Sequence, residues 1–284
     1  MPGYRFCRTD DVPLLVDAVN ACASRDAASA PPFTIEAYKV LVRELSLWAS
    51  SCMLAMEGGT PIGVMLAAKR ERATLIQRLV IHPAHRRRGH GAHLLRSLSS
   101  KLAILGPPRL VAEVPASRVD LRAFVEACGY RPSWEAADFE MEAREPAPLP
   151  PLAASVRFDD IREAGLLADQ GPRAWQRSLE TLANRSGQLQ GLAIAAGDRP
   201  EAWLLHRDDP FHEGRLEIAA LGCGPTAQAR ALMAIMVSHL AGRQPAGLSL
   251  RAVTADEIDP ALLVSWGFRR TGGWIGYEAE AAPA

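Results

Sequence analysis

The sequence predicts an α/β chain in which one domain is written twice, and three observations carry that reading. An apolar strand, a basic glycine-containing loop and an amphipathic helix follow one another directly over residues 73–104. The two halves of the chain repeat each other at a nearly constant offset. Gly129-Tyr130-Arg131 returns as Gly267-Phe268-Arg269 and Phe139-Glu140-Met141-Glu142 as Tyr277-Glu278-Ala279-Glu280, both at 138, while Gly58-Gly59-Thr60-Pro61 returns as Gly197-Asp198-Arg199-Pro200 at 139. That offset is far longer than a solenoid repeat, so it marks duplication of a whole domain. Between the halves stands EPAPLPPLAAS, residues 145–155, whose four prolines and lack of periodicity read as a semi-extended linker. The expected domains are 1–144 and 156–284, joined by 145–155.

The elements of the first half follow from pattern and punctuation. Residues 3–8 read as a short strand, and helices are expected near 11–22 and 34–48. Strands 52–57 and 61–69 flank Gly58-Gly59, a pair suited to a tight hairpin. Strand 73–81 leads through the loop into helix 90–104. Pro107-Pro108 stops that stretch, and 109–114 is the next strand. Helix 118–127 runs to Gly129, a natural C-terminal glycine. A last hairpin is expected over about 130–143. The second half runs in parallel from about 156, with one or both early helices shortened by roughly a dozen residues.

Composition narrows the function classes. A 284-residue chain is long enough for two domains, and a 48% apolar share suits real cores. Thirty-two basic and 32 acidic residues cancel, so no net basic field is available for nucleic acid. The five cysteines, Cys7, Cys22, Cys52, Cys128 and Cys223, form no Cys-x-x-Cys pair, which argues against a zinc site or a disulfide framework. There is no run of about 18 apolar residues and no signal-peptide core, so a cytoplasmic protein without a membrane span is expected.

The chemistry concentrates in LIQRLVIHPAHRRRGHGAHLL, residues 75–95. Glycines 89 and 91 carry no Cβ and allow a ligand close to the backbone. Loop N–H groups and a helix N-terminus then face one anion. Arg86, Arg87 and Arg88 add positive charge matched to phosphate. The spacing is neither a Walker loop nor a dinucleotide fingerprint. Arg86-x-x-Gly89-x-Gly91, preceded by Leu79-x-Ile81-x-Pro83 and followed by Leu94-Leu95, resembles the acetyl-CoA motif of the GNAT acyltransferase superfamily. The element order over about residues 3–143 resembles a GNAT domain as well.

The resemblance implies two tandem copies, each a mixed, mostly antiparallel sheet flanked by helices. It implies acetyl-CoA, or another acyl-CoA, as co-substrate, held by Arg86, Arg87, Arg88, Gly89, His90, Gly91 and Ala92. The backbone of Leu79, Val80 and Ile81 would bind the pantetheine arm like an added strand, with an N–H near Ile81 facing the acyl oxygen. The second copy carries Cys223-Gly224-Pro225-Thr226-Ala227-Gln228-Ala229 in place of the loop. At offset 138 Arg86 becomes Gly224 and Gly89 becomes Ala227, so this copy is expected to have lost normal CoA binding. Tandem members of the family with one active half have this layout.

Two positions depart from the family. Many members carry a glutamate base two residues before the equivalent of Leu79, where this chain has Gln77. Many carry a tyrosine acid four residues before the Gly-Phe or Gly-Tyr pair, where this chain has Val125. Glu113, on the strand after the CoA helix, is the best remaining base, and His82, beside the acyl end of the strand, is the second catalytic candidate. His85, His90 and His93 cluster around the loop without metal-ligand partners, and His85 and His93 read as structural or rim residues. Cys128 sits at the C-terminal end of a helix, the wrong end to activate a thiol. The expected function is transfer of an acetyl or other short acyl group to an amine of a small molecule. The alternative is an inactive GNAT-like protein that holds acyl-CoA as a sensor or scaffold. A third class, tandem GNAT-like transfer of amino acids from charged tRNA, fits the balanced charge and intact loop poorly.

Overall fold

The computed structural model describes residues 1–23, 31–167, 173–196 and 199–283. The first half runs β1 (Gly3–Phe6), α1 (Val12–Cys22), α2 (Ile35–Leu45), β2 (Met53–Glu57), β3 (Thr60–Lys69), β4 (Thr74–Ile81), α3 (His90–Leu105), β5 (Arg109–Pro115), α4 (Val119–Ala127) and β6 (Arg131–Met141). The second half runs β7 (Ala153–Val156), α5 (Phe158–Glu163), α6 (Leu179–Asn184), β8 (Gln190–Ala196), β9 (Arg199–Asp208), β10 (Leu216–Cys223), α7 (Ala227–Ala241), β11 (Leu248–Thr254), α8 (Pro260–Ser265) and β12 (Arg269–Glu280).

The chain forms two compact units. The first holds Met1–Val114, Arg118–Ser133 and the C-terminal segment from Gly276; the second holds Pro115–Ser117 and Trp134–Ile275. These units are not the sequence partition at 145–155. Residues 134–144 of the first copy belong to the second unit, and the last residues of the second copy belong to the first.

In the first unit the strand order is β1-β2-β3-β4-β5 followed by the end of β12. All its mapped ladders are antiparallel except β4 with β5. The β2–β3 turn places Gly58 at φ 57° and Gly59 at φ 82°, which a residue with a Cβ adopts at a cost. Helix α1 buries Leu15, Val16, Val19 and Cys22, the spacing of one helical face. Helix α2 is capped by Thr34, whose Oγ1 accepts from the Ala37 N–H at 3.1 Å, and it stops at Ser46, which has φ 64°. It is therefore shorter than the expected 34–48. Helix α3 buries Leu94, Leu95, Leu98 and Leu102. Each such leucine contributes roughly 1.5–3 kcal/mol of transfer free energy.

In the second unit the order is β12-β6-β11-β10-β9-β8-β7. Its core gathers Phe139, Leu204, Ile218, Met236, Leu250 and Phe268. Both early helices are cut to six residues, α5 and α6, where α1 and α2 have eleven. Strand β7 begins at Ala153, inside the expected linker. The expected hairpin over 130–143 is instead the single strand β6. RPSWEAADFEM contains no Gly or Asn turn pair, and its far half pairs with β11 (Leu248↔Met141 to Thr254↔Ala136) rather than folding back on itself. The Gly197-Asp198 turn lies outside the described residues. Among the described residues no helix is long and apolar enough to cross a membrane.

Candidate functional site

Strand β4 positions the site. Its ladder with β3 pairs Gly63↔Ile81, Val64↔Val80, Met65↔Leu79 and Leu66↔Arg78, then jumps to Ala67↔Ile76. Gln77 is the extra residue, so β4 carries a bulge there. The parallel ladder with β5 covers Thr74↔Leu110, Leu75↔Val111 and Ile76↔Ala112, and ends at the same bulge. Beyond it the Leu79–Ile81 backbone divides by alternation. The His82 N–H donates to the Ile62 carbonyl at 2.9 Å, so Val80 also turns its N–H and C=O to β3. Leu79 and Ile81 turn theirs to the other side, where the β5 ladder has already ended. Of the three residues expected to form the rail, Leu79 and Ile81 turn backbone groups to the side that β5 leaves, where Arg86 takes the Ile81 carbonyl, and Val80 holds the strand in its sheet.

His82 opens the loop. Its Nδ1 accepts from the Ala84 N–H at 3.3 Å, capping a 3-10 turn over Pro83–His85. An accepting Nδ1 leaves the neutral ring with its proton on Nε2, a donor rather than a base. Arg86 donates through Nε to the Ile81 carbonyl at 3.0 Å, tying the loop to the end of the strand. Arg86, Arg87 and Arg88 are exposed, and among the described residues no carboxylate pairs with them.

The loop backbone coils back on itself: Arg87 has φ 62° and Gly89 has φ 84°. Gly89 is the N-cap of α3 and supplies no side-chain cap, so the first-turn N–H groups have no acceptor within the helix. A Cβ built on Gly89 meets nothing within 4 Å, so the backbone is open on that side. Gly91 has a different reason to be glycine. A Cβ there would lie 3.1 Å from Phe124 Cζ of α4, so Gly91 lets α3 and α4 approach. The His90 side chain points into the protein, with Nδ1 2.6 Å from the Tyr4 hydroxyl, and His93 stacks on the Tyr4 ring at 3.8 Å. His85 lies 3.6 Å from the Glu57 carboxylate. These histidines fasten the loop and helix to β1 and β2. Among the described residues no group of three or more His, Cys, Asp or Glu is placed to hold a metal.

Glu113 is half-buried on β5, the first residue past the end of the β4 ladder. Alternation through Ala112↔Ile76 and Leu66↔Arg78 puts it on the same face as Arg78, opposite the face of Ile81 and α3. It is not a free carboxylate, since it interacts with another residue. Val125 is buried in α4. Burial raises the Cys128 thiol, as expected of a structural cysteine.

The second unit repeats the strand but not the loop. Ala202↔Cys223 matches Gly63↔Ile81, and the bulge recurs between Leu205↔Ala220 and His206↔Ile218. By this register Ile81 corresponds to Cys223, an offset of 142, and not to the residue at 138. Eight residues, 82–89, link β4 to α3, whereas three, 224–226, link β10 to α7. The second loop is therefore shortened, rather than substituted position by position as a constant offset implies. Thr226 also caps α7 itself, its Oγ1 accepting from the Ala229 N–H at 3.0 Å.

Known proteins match this geometry. A model of the acetyltransferase (GNAT) family matches residues 17–130. No curated protein sequence matches the chain. Among solved structures, a GCN5-related N-acetyltransferase from Sphaerobacter thermophilus is similar at TM-score 0.67 and 16% identity, covering 100% of this chain and 96% of that one. A tandem GNAT protein from the clavulanic acid biosynthesis pathway is similar at TM-score 0.65 and 16% identity, with 100% of both chains covered. A GCN5-related N-acetyltransferase from Anabaena variabilis is similar at TM-score 0.63 and 12% identity, covering 99% of this chain and 73% of that one. At such identities these structures speak for the fold, and the family match speaks for residues 17–130. Residues 17–130 thus match the acetyltransferase (GNAT) family, and over its full length the chain shares the fold of GCN5-related N-acetyltransferases and of a tandem GNAT protein.

Proposed function

We propose that this chain is an acyl-CoA N-acyltransferase that moves an acetyl or other short acyl group to the amine of a small molecule. The family match over residues 17–130 and the fold support acyl transfer in general; the small-molecule acceptor, the acetyl group and the residue roles are our reading. The observation that carries it is the coincidence at one point of open N–H groups around Gly89, three exposed arginines and a strand edge released from its neighbour at Gln77. A pyrophosphate fits that seat, and an extended thioester arm fits the Leu79–Ile81 edge. We read 1–144 and 156–284 as two copies of one domain, the second without a CoA site.

In the proposed reaction the amine lone pair attacks the thioester carbonyl. The Ile81 N–H faces the oxygen as charge develops, a contribution often worth about 3–4 kcal/mol. The C–S bond then breaks and the thiolate takes up a proton. Glu113 accepts the proton lost by the amine, directly or through water. His82 can donate through Nε2–H but not accept at its capping Nδ1. Five free cysteines suit a reducing cytoplasm.

The test is thermal shift with acetyl-CoA. Gly89→Glu puts bulk and negative charge at the phosphate seat and should abolish the shift, while Arg86→Ala should weaken binding by about 1.5–3 kcal/mol. An undiminished shift in Gly89→Glu sinks the assignment. The second reading, an acyl-CoA-binding protein without turnover, is favoured by Gln77 and by Val125, which is buried and has no proton to give. Release of free thiol from acetyl-CoA over a broad amine panel separates the two.

A further inference from the structure

The bulge of β4 sets two polar side chains, Gln77 and Arg78, next to each other. Gln77 Oε1 is buried and has no hydrogen-bond partner. The next residue, Arg78, is half-buried on the face opposite α3, and its guanidinium carbon lies 5.0 Å from the centre of the Phe33 ring. Phe33 is held as a fixed platform. The Asn20 side chain of α1 accepts from the Phe33 N–H at 2.9 Å and donates to the Phe33 carbonyl at 2.8 Å. A guanidinium stacked on a ring keeps its in-plane N–H groups available at the edge.

Among the described residues no carboxylate pairs with Arg78, and burial alone pulls its pKa below the usual arginine value. A desolvated cation without a partner is costly, so a protein keeps one where something completes it. The fold itself does not require it. The second unit makes the same bulge at the same register with Ala219 in place of Gln77 and Ala220 in place of Arg78, both packed in its core. One bulge is built with two alanines, and the other with an amide and a stacked arginine on the face that carries Glu113.

We propose that Arg78, braced by Phe33, binds an anionic oxygen group on the acceptor, so that the acceptor is a small amine bearing a carboxylate or phosphate. This rests on the acyltransferase reading. The anion would anchor on Arg78 while the amine lies toward Glu113 and the thioester edge at Leu79–Ile81. The planar guanidinium matches a carboxylate on two parallel N–H bonds.

The experiment uses the full-length chain with acetyl-CoA and matched amine pairs. Amino acids are set against their carboxamides, and phosphoethanolamine against ethanolamine, so the two arms tell carboxylate from phosphate. The expected result is a kcat/KM at least about 10-fold higher for the anionic member of one arm. Arg78→Met should erase that preference, raising KM about 10–100-fold with little change in kcat, and leave the neutral member unaffected. Arg78→Lys should keep part of it. Calorimetry of N-acetyl amino acids, N-acetylphosphoethanolamine and their neutral counterparts supplies a readout without turnover. If acetyl-CoA yields no thiol but charged ligands still prefer wild type over Arg78→Met, the acyltransferase reading fails and the anion site stands. If thiol is released equally from neutral and anionic amines, acyl transfer stands and this inference fails. Failure of Arg78→Met to fold would make the arginine structural and overturn it as well, because the alanines at the second bulge predict that the variant folds.

Discussion

Glu113 and Gln77 are the first residues of β5 and β4 past the last pair of their ladder, and the proposed reaction gives the proton to Glu113. A free alkyl amine has a pKa of about 10, so near pH 7 about one molecule in a thousand is neutral. Gln77 cannot take the proton, but Glu113 can. Glu113→Gln should therefore lower turnover at pH 7 far more than at pH 9, where neutral amine is plentiful. A pH–rate profile at saturating amine checks this, and an unchanged profile would reduce Glu113 to a rim residue. Asp11 offers a separate test of residue electrostatics. Arg5 donates to both its oxygens at 2.7 Å and the Arg8 N–H donates at 2.8 Å, holding the carboxyl at about 2. A depressed pKa contributes stability that is present above the unfolded value, about 4, and lost as pH falls toward 2. Asp11→Ala should flatten that acid limb in urea melts between pH 5 and pH 2.

The contrast between two strand–loop–helix elements carries the proposed stoichiometry of one CoA per chain. The eight-residue link before α3 has room for two left-handed residues and leaves its helix N-terminus uncapped by a side chain. The three-residue link before α7 contains Pro225, which has no N–H, and Thr226, which caps the helix. Calorimetry should return one CoA per chain, and two equivalent sites would contradict the assignment. Elsewhere in the second unit, Arg177 is buried and donates to Glu257 and, at 3.1 Å, to the Ile218 carbonyl. Arg207 pairs with Glu217 at 2.7 Å. These charges are paired within the unit, whereas among the described residues no carboxylate pairs with Arg78.

At the scale of the whole molecule, the segment from Gly276 belongs to the unit that holds the Arg86–Ala92 loop. Tyr277 is fully buried there; its hydroxyl donates to Glu126 at 2.7 Å and accepts from Arg122 at 3.3 Å. Glu278 accepts from Arg109 at 2.9 Å and from Ser133 at 2.9 Å. Deleting residues 276–284 strips these partners and leaves β5 an open edge. The truncated protein should lose its acetyl-CoA thermal shift although every loop residue is intact. Tyr277→Ala, a milder change, should cost about 3–5 kcal/mol in urea unfolding. Retention of the full CoA shift after truncation would show that the first unit does not need the C-terminal strand.

Much of this was legible in residue order, because the signals are local. Turn glycines at 58–59, apolar periodicity in 90–104 and the Arg86-x-x-Gly89-x-Gly91 spacing act over a few residues and mark hairpin, helix and loop. The repeat offset marked the duplication. Strand pairing is a long-range choice that no local pattern states. Nothing in RPSWEAADFEM says that it pairs with β11, and nothing in the last nine residues says that they belong to the first unit. The bulge at Gln77 is a mismatch between two strands, invisible in either alone. It lies where the β5 ladder stops, beside the edge at Leu79 and Ile81, and it recurs in β10 at an offset of 142. Gly89 and Gly91 look alike in sequence, yet one meets open space and the other meets Phe124. A glycine's purpose is set by what a Cβ would touch, and folding alone determines that neighbour.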